Sequence, residues 1–593
     1  FHPEELDVKT KAWLRHYFEE QIYPVVTPLA VDSGHPFPFL ANNTINAIVR
    51  IFQVQPDGTK DYKIAILPIP SVLDRIIEVP SSSNKVHRFV YLEDVISYYA
   101  TQFFQGYGIE ESMIFRLTRD ADLEIDEEDA KDLLTEVEAS LRRRRRGDAV
   151  RLEVVGDGSP ELLRTVLDSV ELEEKDVYHI DGHLDCRMYF DFSNYPGYDH
   201  LRYKPFEPKI PSDLIGFEGE NLLDVIRNRD IFVHHPFESF SVVEQFVAQA
   251  AVDPNVLAIK QTLYRVSGGS PIIASLIKAA DNGKQVTVLM EVKARFDEEH
   301  NITMARRLEK AGCHVIYGLK GLKTHSKITM VVRREEDGIR RYVHLATGNY
   351  NGKTARIYTD CGIFTCNDEY GDDASRFFNL ISGYSDPPIW NKFIVAPLNL
   401  RERIMDLIDE EIQCAKRGED AYIIAKMNSL LDKKVIAKLY EASANGVRID
   451  LIVRGICTLR PGIAGVSDNI TVRSIVGRFL EHHRLFYFRN GGNEKTFLSS
   501  ADWMPRNLNE RVELMIPIED KRHKARIKGI LDLYLVDTLK AHLMRADGSY
   551  YKVSNIEGPL SAQEELMEAA NTQDSRDQMT VIERFKPMFK MKE

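Results

Sequence analysis

No two of the six cysteines (Cys186, Cys313, Cys361, Cys366, Cys414, Cys457) form a Cys-x-x-Cys pair. The nearest two, Cys361 and Cys366, have no histidine at ligand spacing beside them in sequence. This argues against a zinc site or a disulfide framework, leaves both thiols structural or incidental, and points to a reducing compartment. No apolar run approaches the roughly 20 residues that a membrane-crossing helix needs. No signal-peptide pattern leads the chain, and Phe1 is not a natural start, so residues are expected upstream. A cytoplasmic location follows, with at most peripheral contact at the inner face of the membrane. Basic excess is also missing: the formal net charge of −13 speaks against a general nucleic-acid binder.

What is present is ordinary globular composition, 44% hydrophobic and 28% charged over 593 residues, enough for roughly three to four domains. Charge is unevenly placed. From Lys260 to Tyr358 there are 18 Lys/Arg against 9 Asp/Glu, a local +9 that leaves −22 elsewhere. Such a concentration suits a polyanionic ligand in a local site; solvated helix faces are the plainer alternative.

Two histidines, His325 and His482, each open a β-hairpin. The first runs from His325-Ser326-Lys327 through the turn Glu335-Glu336-Asp337-Gly338 to Thr347-Gly348-Asn349. The second runs from His482-His483-Arg484 through Asn490-Gly491-Gly492-Asn493 to Ser499-Ser500-Ala501-Asp502. Folding each about its turn sets His325 opposite Gly348 and His482 opposite Ala501. Residues two apart share a strand face, so His325 sits with Lys327 and His482 with Arg484. An imidazole, a fixed cation and small polar groups thus converge at one end of each hairpin, a set suited to phosphate. The twin imidazoles are expected to face each other across one cleft.

The wider pattern divides the chain into 1–211, 212–391 and 392–593. The first region starts helical from Leu6 to Glu20, includes a strand over Ile64 to Pro68, and carries an arginine run, Arg142 to Arg146, read as a solvated or dimer-contact face rather than an anion site. Prolines 205, 208 and 211 mark a linker. Next comes a βαβ rhythm: a lysine-tipped strand ending Ile259-Lys260, a helix near Ile272 to Ala280, a buried strand Val286 to Val292, a helix over Ile302 to Ala311 and a strand at His314. His234-His235-Pro236 is read as leading into a helix near Phe237, not as a metal pair. After Asp386-Pro387-Pro388 the order recurs: strand 421–427 with Lys426, helix 434–444, strand 447–454, then the second hairpin, an internal duplication of roughly 180 residues. Beyond about 555 a loosely held helical tail is expected. The fold class is α/β within an α+β multidomain chain, two tandem α/β domains behind a head domain.

His-x-Lys with Gly-Asn-x-Asn, in two copies, resembles the phospholipase D superfamily, whose halves pair their histidines in one cleft. Arg484 replaces the second lysine, and no aspartate follows a few residues after either cation, which points away from phosphodiester hydrolysis. The whole chain more closely resembles the class-1 polyphosphate kinases. The match lies in Leu263-Tyr264-Arg265-Val266, Ala294-Arg295-Phe296-Asp297-Glu298-Glu299, His325-Ser326-Lys327, Thr347-Gly348-Asn349-Tyr350-Asn351, Thr354-Ala355-Arg356-Ile357-Tyr358-Thr359-Asp360, Val453-Arg454-Gly455 and Leu498-Ser499-Ser500-Ala501-Asp502-Trp503-Met504. No residue here matches the asparagine that, in that family, contacts nucleotide from an N-terminal helical domain.

The resemblance implies reversible, ATP-dependent extension of inorganic polyphosphate through a phosphohistidine, with ADP released. By position, His325 is the phosphorylated nucleophile and His482 its partner; Tyr358, Arg454 and His482 contact ATP. Lys327, Asn349, Arg484, Arg265 and Arg295 hold phosphate or polyphosphate. Arg265 and Arg295 occupy positions the family associates with Mg²⁺; a guanidinium has no lone pair, so the ion is expected through bound phosphate. A homodimer or homotetramer through the first region is implied as well. Imidazole suits the nucleophile because its reference pKa of about 6.5 leaves it substantially neutral near pH 7. A nucleotide-independent phosphodiesterase and a non-enzymatic polyanion-binding scaffold are the rival readings.

Overall fold

The computed structural model describes every residue except 33, 82–85, 122–132, 145–146, 267–268, 295–296, 384, 554–557 and 574–593. The chain divides into two units, 1–125 with 138–204, and 126–137 with 205–593. No helix among the described residues is long and apolar enough to cross a membrane.

In the first unit, Asp7 caps the helix Val8–Tyr17 by accepting the Lys9 and Thr10 N–H groups. The expected Leu6–Glu20 helix is shorter than predicted, because its last turn loosens into a π-helical stretch, Phe18–Ile22. A six-stranded sheet follows in the order Leu29–Val31, Lys60–Pro68, Ile45–Val54, Gly108–Arg119, Ala149–Val155, Val177–Ile180, with only the last pair parallel. The helix Pro160–Val170 turns Leu162, Val166 and Leu167 onto that sheet's core. The arginine run ends a helix, Leu133–Arg144; Arg145 and Arg146 lie outside the described residues.

The second unit is built twice. The first sheet orders His314–Ile316, Gln285–Met290, Val256–Leu263, Ile328–Glu335, Gly338–Ala346, Tyr358–Thr365, and the second orders Ile470–Ile475, Arg448–Val453, Tyr422–Met427, Arg484–Phe488, Lys495–Ser499, Arg511–Ile518. In both, three parallel strands meet the hairpin, and a third strand pairs antiparallel with its far arm. The strands Ile231–His235 and Ile394–Ala396 add to those third strands in the same way. A helix follows each third strand, Asp368–Ser382 and Lys521–Leu535, capped by Asn367 and Asp520. Phe377, Phe378, Ile381, Ile527, Ile530 and Leu531 share one core with both sheets, so neither half buries its face alone. The expected tandem α/β architecture is what the chain adopts.

Three details differ from expectation. Against the hairpin, Lys426 pairs with Leu485, whereas Ile328, the position equivalent to Leu485, follows the pairing of Gln261 with Thr329; Lys426 therefore matches Thr262, not Lys260. His234 and His235 end a strand, and the next helix begins only at Ser241; between them the Glu238 N–H donates to the His234 carbonyl at 2.9 Å and the Ser239 N–H turns away to the Lys209 carbonyl at 2.7 Å. Within the tail expected to be loose, the helix Ala562–Gln573 is firmly packed, with Ala562, Leu566 and Ala570 buried in the shared core; the remainder, 574–593, lies outside the described residues.

Candidate active site

Each histidine stands where a two-residue strand from its own half crosses to the other half. Lys323–Thr324 runs parallel to Arg511–Ile518, and Leu480–Glu481 runs parallel to Tyr358–Thr365. This exchange brings the two hairpin mouths together. The backbone N–H groups of His325 and Ser326 both donate to the Val512 carbonyl at 3.0 Å. The His482 N–H donates to Thr359 Oγ1 at 3.1 Å.

The side chains cross too. His325 Nδ1 lies 2.8 Å and 3.0 Å from the carboxylate oxygens of Glu513, a residue of the second half. His482 Nδ1 lies 2.8 Å from Asp360 Oδ1, a residue of the first. An acceptor at Nδ1 places the ring proton there and leaves the Nε2 lone pair for chemistry. The carboxylates are themselves oriented: Thr347 Oγ1 donates to Asp360 at 2.6 Å, the Ser500 hydroxyl to Glu513, and Asn507 Nδ2 to Glu513 at 2.7 Å. The hydroxyls accept in turn from Cys361 N–H and Leu514 N–H, both at 3.0 Å. Neither Glu513 nor Asp360 has a role in the sequence reading above. A signal existed: in both copies a hydroxyl residue precedes an acid by thirteen positions.

The hairpin ladders end at Ile328–Leu345 and Arg484–Ser499, and the same registers carried on set Gly348 opposite His325 and Ala501 opposite His482. Gly348 cannot carry a side chain, because a Cβ there would stand 2.4 Å from the Asp360 carboxylate.

The two hairpin cations, Lys327 and Arg484, are buried. Lys327 Nζ donates to the His325 carbonyl, and its amine is held well below the ordinary lysine range by burial and by Arg484 and Arg511 nearby. Arg484 forms a buried pair with Asp502 at 3.0 Å, donates to the His482 carbonyl at 2.9 Å, and sets Nη1 3.2 Å from His482 Nε2. Burial first, then the charges of Lys327, Arg511, Arg484 and His482, keep His325 neutral, far below its usual range. Burial also lowers His482, with Asp360 opposing. Lys327 and Arg484 lower both imidazoles, so the two rings lie in the field of the same two cations. Against the upward pull of burial, His482, Thr347 and Arg484 hold the Asp360 carboxyl below its usual range.

Tyr358 is half-buried with its ring 5.2 Å from His482, and Tyr264 stands edge-on to His325 at 4.9 Å. Arg454 donates through Nε to the Glu481 carbonyl at 2.7 Å and through Nη2 to Asn428 Oδ1 at 3.1 Å; Asn428 Nδ2 reaches the His482 carbonyl at 3.1 Å. Asn349, at the position equivalent to Asp502, has a buried Oδ1 without a protein partner. Arg265 pairs with Asp297 at 2.7 Å. Arg295 lies outside the described residues. Arg511, Asn428 and Asp502 complete the set without having been assigned from sequence; Arg511 occupies the place in the second half that Tyr358 has in the first. Asp360 and Glu513 are both engaged by imidazole and guanidinium offers no lone pair, so these residues do not fit a directly bound Mg²⁺.

Models of the polyphosphate kinase middle domain, C-terminal domain 1 and C-terminal domain 2 match residues 9–192, 221–387 and 393–563. The chain belongs to the polyphosphate kinase family. It is 52% identical over 550 residues to a polyphosphate kinase of Halalkalibacterium halodurans, covering 92% of this chain and 77% of that protein. It is 51% identical to one from Bacillus anthracis, covering 93% and 79%. The crystal structure of the polyphosphate kinase of Porphyromonas gingivalis superposes with a TM-score of 0.84 at 32% identity, covering 96% of this chain and 84% of that one. Family membership thus rests on all three regions, including the half that holds each histidine.

Proposed function

We propose that this polyphosphate kinase carries the terminal phosphoryl group of ATP to inorganic polyphosphate by way of His325. The observation that carries the reading is the crossed pairing of two neutral histidines with carboxylates of opposite halves, beside Lys327 and Arg484. His325 Nε2 attacks the γ-phosphorus; the bond to the bridging oxygen breaks and ADP leaves. The terminal oxygen of a polyphosphate chain then attacks the phosphorus, the P–N bond breaks, and His325 returns to its neutral form. Throughout, Glu513 keeps the Nδ1 proton and the ring's orientation, and stabilises positive charge on the imidazole as the bond forms.

Phosphoryl transfer gains most from stabilising charge on the equatorial oxygens. Lys327, Arg484 and Asn349 take that part, each charge-assisted bond contributing about 1.5–3 kcal/mol. Tyr358 and Arg454 contact the nucleotide; His482, neutral with its proton on Nδ1, has none to give at Nε2 and steadies the transferred group through Arg484. Arg265 and Arg295 hold phosphate, and Mg²⁺ accompanies the ATP phosphates as their counter-ion. The domains divide at 211 and 391, and the enzyme is cytoplasmic, assembles as a homodimer or homotetramer through the first region, and makes at most peripheral membrane contact.

The test is incubation with ATP and Mg²⁺. Formation of ADP with a long anionic polymer, absent in His325→Ala, is expected. Phospholipid headgroup release or nucleic-acid cleavage without ADP would establish a phosphodiesterase instead.

A further inference from the structure

Behind the histidine pair lies a second cluster that phosphoryl transfer does not use. On a strand, neighbours point to opposite faces. Asp360 and His482 face the site, so Cys361 and His483, next to them in sequence, face away. His234 pairs directly across from Cys361 in the antiparallel register. One nitrogen of His234, one of His483 and the sulfur of Cys361 all lie within 4.8 Å of one another. The three residues are 2%, 0% and 0% exposed for His234, Cys361 and His483. His234 Nε2 has no hydrogen-bond partner, and the His483 ring reaches only the Thr359 backbone. Buried imidazole nitrogens this poorly met are costly, and their gathering in one place calls for an occupant. No histidine near Cys361 in sequence announces the cluster; the fold supplies both.

The duplication provides an internal comparison. The same three positions in the other half hold Val395 opposite Leu514, with Ser326 after His325. There the fold is content with packing of Val395 and Leu514, 1% and 4% exposed. Polar, ligating side chains are therefore no requirement of this architecture, and their presence in one copy needs its own reason.

We propose that His234, Cys361 and His483 form a buried site for a monovalent soft metal ion, copper(I). Two imidazoles and a thiolate suit soft ions. Three ligands at about 2.0–2.3 Å around a trigonal centre stand about 3.5–4 Å apart, so the cluster closes with sub-ångström shifts. Charge decides between candidates. The nearby cations are already balanced, Lys426 by Glu481 and Arg526 by Glu238, each at 2.7 Å. Copper(I) with one thiolate adds no net charge to this interior. Zinc(II) would add a positive charge without a buried carboxylate to meet it, and would lack the fourth ligand it ordinarily takes. On binding, the Cys361 S–H bond breaks, its proton goes to solvent, the Cu–S bond forms, and copper stays in the +1 state.

The experiment uses the full chain in a Cys186→Ser background, which removes an exposed competing thiol. Incubated anaerobically overnight with copper(I) held as its bicinchoninate complex, the protein should withdraw one copper per chain and release one proton. X-ray absorption should show one sulfur and two nitrogen neighbours, and silver(I) should compete. Cys361→Ser and His234→Val, the latter copying Val395, should each weaken binding at least tenfold while retaining kinase turnover as evidence of folding. Should Cys361→Ser not fold, Cys361→Leu, copying Leu514, serves the same purpose. The proposal is overturned if bicinchoninate keeps its copper, if both variants bind copper as the parent does, if zinc(II) alone fills these residues, or if a structure after copper exposure shows only water there.

Discussion

His325 rests its Nδ1 on Glu513, 2.8 Å away and 188 residues later in the chain, and so takes its orientation from the opposite half of a duplicated fold. Neither half can present a competent histidine without the other. Glu513→Gln tests this: the amide oxygen can still accept the Nδ1 proton, but the charge that stabilises a developing imidazolium is gone. Turnover should fall about 10²–10⁴-fold with the folded state kept, as for comparable carboxylate-to-amide changes behind a catalytic histidine. Steady-state kinetics and circular dichroism check it; an unchanged kcat would remove Glu513 from the account.

Gly348→Ala should act on the distant His482 through Asp360, because the new methyl would meet the carboxylate at 2.4 Å. The expected result is a large loss of turnover with His325 chemically intact. The reverse change in the second copy, Ala501→Gly, should be nearly silent in turnover, since a methyl is already accommodated there.

The buried pair Arg484–Asp502 is a stability term as well as a catalytic one. Removing one partner leaves a charge without compensation, so Asp502→Leu should destabilise by about 3–5 kcal/mol. The double change Arg484→Met with Asp502→Leu should recover part of that. Denaturant unfolding provides the comparison, and strict additivity would contradict the pairing.

Acid should unfold the protein earlier than its carboxylates alone require. Burial lowers His234, His325, His344, His482 and His483 in the folded state, His344 to about 3. Unfolded histidine titrates near 6.5 and so binds protons that the folded state refuses. Their contribution is complete above about pH 6.5 and declines as pH falls below it toward the folded-state values, at up to about 1.4 kcal/mol per pH unit for each histidine. Stability flat from pH 7 to pH 5 would show that these rings are charged when folded.

Gln563 latches the segment before His482. Its Oε1 accepts the Phe479 N–H at 2.9 Å, and its Nε2 donates to the Phe479 carbonyl at 2.8 Å and to Glu481 at 2.5 Å. Glu481 is also held by Lys426 and by Thr359, the residue that receives the His482 N–H. Gln563→Leu should lose about 2–4 kcal/mol and lower kcat, with ATP KM little changed. Equal stability in the variant would show that the C-terminal helix does not fix this strand.

The sequence made the hairpins legible because two-residue periodicity and turn composition are local: sums about each turn set Gly348 opposite His325 and Ala501 opposite His482, and the ladders keep those registers as far as Ile328–Leu345 and Arg484–Ser499. It also exposed Lys327 and Arg484, two residues on from each histidine. Asp360 and Glu513 escaped because the expected acid lay just after the cation on the same strand. Here it arrives from a third strand of the other half, and strand exchange between halves leaves no local mark. Lys260 looks like the counterpart of Lys426 in sequence for a related reason: strand identity is local, but register is fixed by the neighbour. The firm packing of Ala562–Gln573 was hidden by its acidic composition, which obscured the buried stripe Ala562, Leu566, Ala570.

The most direct test of the account follows the phosphoryl group itself. The protein is mixed with γ-labelled ATP, quenched in base, and the labelled peptide sequenced. The account predicts acid-labile, base-stable label on the peptide carrying His325, absent in His325→Ala and still chased into polyphosphate in the wild type. Label that persists in His325→Ala, or that sits on the His482 peptide instead, would contradict it.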